Sequence, residues 1–107
     1  MKICVLGTGS WGTALAQVLA DNQQEVIMWG IDPCEVKDIE VNHHNTKFFE
    51  TEINHDIHAS TDLSVVTNAD VVLAAVPTIA LEEVLTKASQ HLTKPAIIIN
   101  VAKGFHP

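Results

Sequence analysis

Near the amino end, the run Lys2-Ile-Cys-Val-Leu-Gly7-Thr-Gly9-Ser10-Trp11-Gly12-Thr13-Ala-Leu-Ala16 constrains the fold more than any other part of the chain. A short apolar stretch enters Gly-x-Gly-x-x-Gly, and the last glycine leads straight into helix-forming residues. Gly7 lets the chain turn sharply out of a strand, Gly9 lets backbone approach a pyrophosphate, and Gly12 lets the helix pack close to the sheet. The free amides and positive dipole end of that helix then point at the phosphates. Such a strand–turn–helix is the fingerprint of a dinucleotide site, and Ser10-Trp11 inside it narrows the match further.

The remaining pattern repeats the alternation of strand and helix. Lys2–Leu6 reads as a buried strand and Ser10–Asp21 as a helix with Ala14, Leu15, Val18 and Leu19 on one face, its start capped by Ser10 or by the turn itself. Glu25–Trp29 lacks polar alternation, as expected of a parallel strand covered on both faces. Asp32-Pro33-Cys34-Glu35 reads as a helix start with Asp at the N-cap and Pro at N1, the helix ending near Val41. Residues 42–56 are polar and histidine-rich and read as a long surface loop. A weak strand over 57–60, a short helix over 61–67 and a strong strand over 71–76 come next. Residues 78–92 form an amphipathic helix with Leu81, Val84, Leu85, Ala88 and Leu92 in a stripe and Glu82 and Glu83 in its first turn, and 96–101 a last strand. This predicts one α/β domain over residues 1–107, a Rossmann-type doubly wound parallel sheet in the order 3-2-1-4-5 with right-handed crossovers. Ligands then bind beyond the carboxyl ends of the strands, which selects residues 7–12, 30–32, 76–78 and 102–104.

Composition excludes several other functions. The chain has 107 residues, is 47% hydrophobic and carries a formal net charge of −7, so it folds around a core and lacks the basic stripe that nucleic acid or an acidic membrane surface requires. Its apolar runs are too short for a secretory leader or a membrane span, and two cysteines in an ordinary core composition indicate a reduced, cytoplasmic setting.

Taken together, the loop residues resemble the amino-terminal half of bacterial NAD(P)-dependent sn-glycerol-3-phosphate dehydrogenases. Gly7 to Ala16 is similar to that family's Gly-x-Gly-Ser-Trp-Gly-Thr-Ala opening, and Ala75-Val76-Pro77-Thr78 to its Val-Pro-(Ser/Thr) turn. Asn45-Thr46-Lys47-Phe48-Phe49 resembles its Asn-Thr-Arg-Tyr-Leu loop, and Lys103-Gly104-Phe105-His106-Pro107 its Lys-Gly-Ile-Glu-Pro segment. The resemblance implies hydride transfer between glycerol 3-phosphate and NAD or NADP, giving dihydroxyacetone phosphate and feeding glycerophospholipid synthesis. It also implies a helical carboxy-terminal domain beyond Pro107 that holds a proton-accepting lysine and the substrate-phosphate cluster. These residues alone are then expected to bind cofactor without turnover, with no catalytic residue among them. A homodimer of the whole enzyme stays open.

By this resemblance the cofactor contacts are Gly7, Gly9, Ser10, Trp11, Gly12, Ile31, Asp32, Phe48, Pro77 and Lys103. Ser10 and Trp11 place amides and an indole edge beside the phosphates; their alternative is a helix cap and a packed aromatic. Lys103 is assigned to both cofactor and substrate, where an ammonium polarises a ketone oxygen gaining alkoxide character; without the family match it reads as a surface lysine at a strand end. Phe48 approaches the nicotinamide or adenine region or else anchors the loop, and Pro77 fixes the backbone beside the cofactor. At the end of the second strand Gly30 stands where an acid binds the ribose hydroxyls, and Ile31-Asp32 where many members carry a basic residue. The clamp for a 2′-phosphate is therefore missing, which favours NAD over NADP. Asp32 has two compatible readings, a ribose ligand and the N-cap before Pro33.

Two features stand apart. His43-His44 and His55-x-x-His58 have no Cys or carboxylate completing a ligand set, so no metal is assigned and they read as solvated. Gln23 stands where the family has a glycine ending the first helix, and a non-glycine in that left-handed position costs about 1 kcal/mol unless Asn22 takes the turn. Another hydroxyacid dehydrogenase and a non-catalytic dinucleotide-binding module share the glycine turn. Ser10-Trp11 and Lys103-Gly104 argue against the first, and the second gives no reason for Lys103.

Overall fold

The computed structural model describes residues 1–45 and 52–101, with the side chain of Ser10 outside that description. Five strands, β1 (Lys2–Leu6), β2 (Glu25–Trp29), β3 (His58–Ser60), β4 (Val71–Ala74) and β5 (Ile97–Asn100), form one sheet in the order β3-β2-β1-β4-β5. All four pairings are parallel, with Leu6 opposite Trp29 on one side and Ala74 on the other. The order reverses between β1 and β4, which is where such sheets open a crevice for ligands.

Side-chain alternation along the strands divides the core into two layers. Ile3, Val5, Val26, Met28 and Leu73 meet Ala16 and Ala20 of α1 (Ser10–Asp21) and Val36 of α2 (Pro33–Lys37). On the opposite face Cys4, Leu6, Trp29 and Val72 meet Val84 and Ala88 of α3 (Thr78–Ser89) and Val66 of a 3₁₀ turn, Leu63–Val66. Helices on both faces explain why β1 reads as an unbroken apolar run. Burial pushes the Cys4 thiol up to about 12 against the opposing charge of Lys2, so it behaves as a small core hydrophobe.

Several sequence expectations are corrected in detail. The helix begun by Pro33 continues as a π-helical segment, Asp38–Asn42, which ends on His43 in the left-handed region at φ 56°. Within the stretch read as a polar surface loop, Asn45 and Ile53 are buried. Helix α3 stops at Ser89, although Leu92 still packs against the core. Since α3 starts at Thr78, Glu82 and Glu83 fall beyond its first turn, where Glu83 accepts from Lys87 at 2.8 Å.

The end of α1 falls at the predicted position. Gln23 adopts φ 64°, its amide donating to Ala20 O and that of Gln24 to Leu19 O, the paired bonds of a Schellman turn. Asn22 keeps a negative φ of −92°, so the left-handed strain falls on Gln23. At the far edge Ile97, Ile98 and Ile99 of β5 are 64%, 47% and 43% exposed.

Candidate functional site

Three of the sheet's carboxyl ends converge on the first glycine turn. Gly7 N donates to Trp29 O at 2.7 Å and Ala75 N to Leu6 O at 2.8 Å, tying the turn to the ends of β2 and β4. Gly7 has φ 128°, and a Cβ there would lie 2.8 Å from Ala75 O, so neither its conformation nor its space admits a side chain. A Cβ on Gly12 would meet Gly7 O at 2.7 Å, which shows how closely α1 presses on the turn.

Gly9 differs from both. Its φ of −72° and ψ of −175° are ordinary extended backbone, and a Cβ would meet nothing within 4 Å. The space beside it is open, which is the room a pyrophosphate needs. Gly9 is also the N-cap of α1, with no side-chain cap bond and no acid in the first turn. The start of α3 is similar, with Pro77 at the N-cap (φ −55°) and no side-chain cap bond. Both helix starts flank the reversal between β1 and β4, and each directs backbone amides and the positive dipole end outward.

Polar groups behind the turn hold it in place. Asn45, 1% exposed, donates through Nδ2 to Thr8 O at 2.8 Å and to Thr13 Oγ1 at 2.8 Å. Thr13 is fully buried and its hydroxyl lies 3.4 Å from Thr8 O. Thr8 Oγ1 donates to Glu35 Oε1 at 2.8 Å, joining the turn to α2. Glu35 and Asn45 also line a cleft of about 500 Å³ whose walls include Asp32, Lys37 and Asp38.

Residues 2–107 match the family described as NAD-dependent glycerol-3-phosphate dehydrogenase N-terminus. The chain belongs to that family. It is 37% identical over its whole length to a glycerol-3-phosphate dehydrogenase [NAD(P)+] of Macrococcus caseolyticus, of which it covers 33%. It is 45% identical to the enzyme of that name from Enterococcus faecalis over 96% of this chain and 31% of the relative. A crystal structure of glycerol-3-phosphate dehydrogenase from Coxiella burnetii superposes with a TM-score of 0.85 at 30% identity, covering 92% of this chain and 31% of that one. The chain thus spans about a third of the length of the curated relatives it matches.

Within this dehydrogenase-family fold, the expected cofactor residues fall into three groups. Gly7, Gly9, Trp11, Gly12 and Pro77 gather at the ends of β1 and β4, with Trp11 42% exposed. Ile31 and Asp32 follow β2; Ile31 is 84% exposed, and Asp32 Oδ1 accepts from Cys34 N at 2.9 Å as the N-cap of α2. Phe48, Lys103 and the side chain of Ser10, whose backbone begins α1, lie outside the described residues.

Sequence reasoning missed Thr8, Thr13, Glu35 and Asn45 as supports of the turn. Asn45 carried a usable signal, since it opens the loop segment that matches the family. The side chains of His55 and His58 are each 64% exposed, as solvated histidines should be, whereas His43 is half-buried. His43 stacks on His55 with ring centroids 4.2 Å apart, and its Nδ1 is buried without a hydrogen-bond partner among the described residues. His58 Nδ1 lies 3.0 Å from Glu40 Oε1, and Ala59 N donates to Glu40 Oε2. Burial acts to raise the Glu40 pKa, but the hydrogen bonds from His58 and Ala59 and the charges of His58 and His43 outweigh it, leaving the carboxyl below its usual range. Among the described residues no group of three or more His, Cys, Asp or Glu side chains is placed to hold a metal, and no helix is long and apolar enough to cross a membrane.

Proposed function

We propose that this chain is the nucleotide-binding part of a glycerol-3-phosphate dehydrogenase and holds NAD(P) across the carboxyl ends of β1 and β4. The observation that carries this reading is the open, uncapped start of α1 at Gly9, inside a turn whose other two glycines are sterically obligatory. Amides at the starts of α1 and α3 offer hydrogen bonds and positive dipole ends to the phosphates. Gly7 and Gly12 hold the turn against Ala75 and α1, and Asn45 fixes it from behind. When bound, the nicotinamide exchanges a hydride with the carbinol carbon of sn-glycerol 3-phosphate, giving dihydroxyacetone phosphate.

Trp11 closes one side of the phosphate position, and Phe48 is assigned to the nicotinamide or adenine end of the cofactor by its match to the family's loop. Lys103 contacts both cofactor and substrate, neutralising phosphate charge and stabilising the ketone oxygen as it gains alkoxide character. The curated relatives are about three times as long as these 107 residues. The groups that bind the substrate phosphate and accept the proton are assigned to the part of such enzymes not covered here, so these residues alone are expected to bind without turning over. Its two cysteines are free, in keeping with a cytoplasmic setting in which the enzyme supplies glycerol phosphate for lipid synthesis.

Titration of the 107-residue chain with NADH, followed by quenching of tryptophan fluorescence, is expected to saturate. Addition of dihydroxyacetone phosphate is expected to leave NADH absorbance constant. A titration with no saturable signal contradicts the binding role, and steady NADH oxidation contradicts the division of labour.

A further inference from the structure

The end of β2 normally presents the acid that reads the ribose hydroxyls of a bound dinucleotide. Here that position is Gly30, which has no side chain, and the next acid, Asp32, is engaged as a helix cap by Cys34 N. A carboxylate nevertheless reaches the glycine turn from further along the chain. Glu35, in the first turn of α2, accepts from Thr8 Oγ1 at 2.8 Å. Gly30 is what makes this contact fit, because a Cβ there would lie 2.5 Å from Thr8 Cγ2 and 2.6 Å from Thr8 Oγ1. The absence of an acid at the strand end and the presence of one on Thr8 are therefore one arrangement.

We infer that Glu35, held by Thr8, sets selectivity for the adenine-side ribose and favours a nucleotide with a free 2′,3′-diol over one bearing a 2′-phosphate. The inference rests on the dinucleotide-binding reading above. A diol donates hydrogen bonds, and an ionised carboxylate only accepts them and has capacity for more than one donor. A 2′-phosphate brings acceptor oxygens and like charge to the same carboxylate. The adjoining cleft strengthens this bias, since Glu35, Asp32 and Asp38 line it with Lys37 as their cationic neighbour. Glu35 thereby does from α2 what a strand-end acid does in other dinucleotide folds.

The test compares NADH and NADPH affinities of the 107-residue chain, measured by calorimetry, for the wild type, Glu35→Gln and Thr8→Val. Thermal melting of each variant checks the fold. The wild type is expected to prefer NADH by about tenfold or more. Glu35→Gln is expected to bring the two affinities close together, chiefly by strengthening NADPH binding, with Thr8→Val giving a smaller shift in the same direction. Loss of the fold alone would move both affinities together and leave their ratio unchanged, so the ratio is the readout. Should Glu35→Gln fail to fold, Thr8→Val reads the same ratio. A wild-type preference for NADPH, or a ratio unmoved in the folded variants, overturns the inference and leaves the binding reading standing. Binding of neither nucleotide overturns both.

Discussion

The start of α1 and the start of α2 solve the same physical problem in opposite ways. Each follows a strand of the same sheet, and each leaves backbone amides without partners inside the helix. At α2, Asp32 satisfies Cys34 N with its side chain, and Pro33 occupies the first turn. Asp62 does the same for Ser64 N at the 3₁₀ turn. At α1 the cap position holds Gly9, which can offer no side chain, although an aspartate would fit its extended backbone. The chain closes the starts of α2 and of the 3₁₀ turn with aspartate caps, and leaves the starts beside β1 and β4 to backbone amides. The contrast separates helix starts whose amides a side chain satisfies from those whose amides stay open to a phosphate.

The largest expected effect comes from closing the gap between α1 and the turn. Gly12→Val places a side chain against Gly7 O and is expected to destabilise the chain by about 3 kcal/mol, the upper end for overpacking, and to abolish NADH binding. Urea unfolding and an NADH titration measure the two losses, and a variant as stable as wild type would break the picture of a tightly pressed helix. Next is Asn45→Ala, which removes the donor to Thr13 Oγ1 and leaves Thr8 O only the long bond from the Thr13 hydroxyl, and is expected to cost about 2 kcal/mol and weaken NADH binding. Asp32→Ala removes an ordinary cap, with an expected loss of about 1 kcal/mol in urea.

The smallest effect concerns Asp62. Its carboxyl is held below its usual range by the hydrogen bond from the Ser64 amide, followed by that from the Ser64 side chain. A carboxyl depressed in the folded state contributes stability above its unfolded pKa, and that contribution disappears as pH falls through the folded value. Urea midpoints taken from about pH 5 down to about pH 2 are therefore expected to fall less steeply for Asp62→Asn than for the wild type. Parallel curves would remove Asp62 from the set of structural caps.

Much of the frame was legible because local signals and tertiary environment agree. Apolar runs between turn residues marked the strands, the glycine spacing marked the β1–α1 turn, and the strand order followed from their alternation. Gln23 was legible as a left-handed residue because it stands where the family it resembles has a glycine ending the first helix. Asn45 was hidden in a polar stretch without periodicity, and its burial depends on Thr8 and Thr13, more than thirty residues away in sequence. Glu35 read as a helix-start acid because its link to Thr8 depends on the space left by Gly30. The isoleucines of β5 are as apolar as β1, yet they stay exposed at the sheet edge, because neighbours rather than composition decide burial.

Gly9→Asp tests the central claim most directly, because it turns a ligand-facing helix start into a structural one. Aspartate is a favoured cap residue, the extended backbone accepts it, and its charge suits the helix dipole. The melting temperature is expected to hold or rise, while NADH affinity in a calorimetric titration falls by at least about tenfold as the side chain and charge occupy the phosphate position. A stable Gly9→Asp chain that binds NADH as tightly as wild type would contradict the claim.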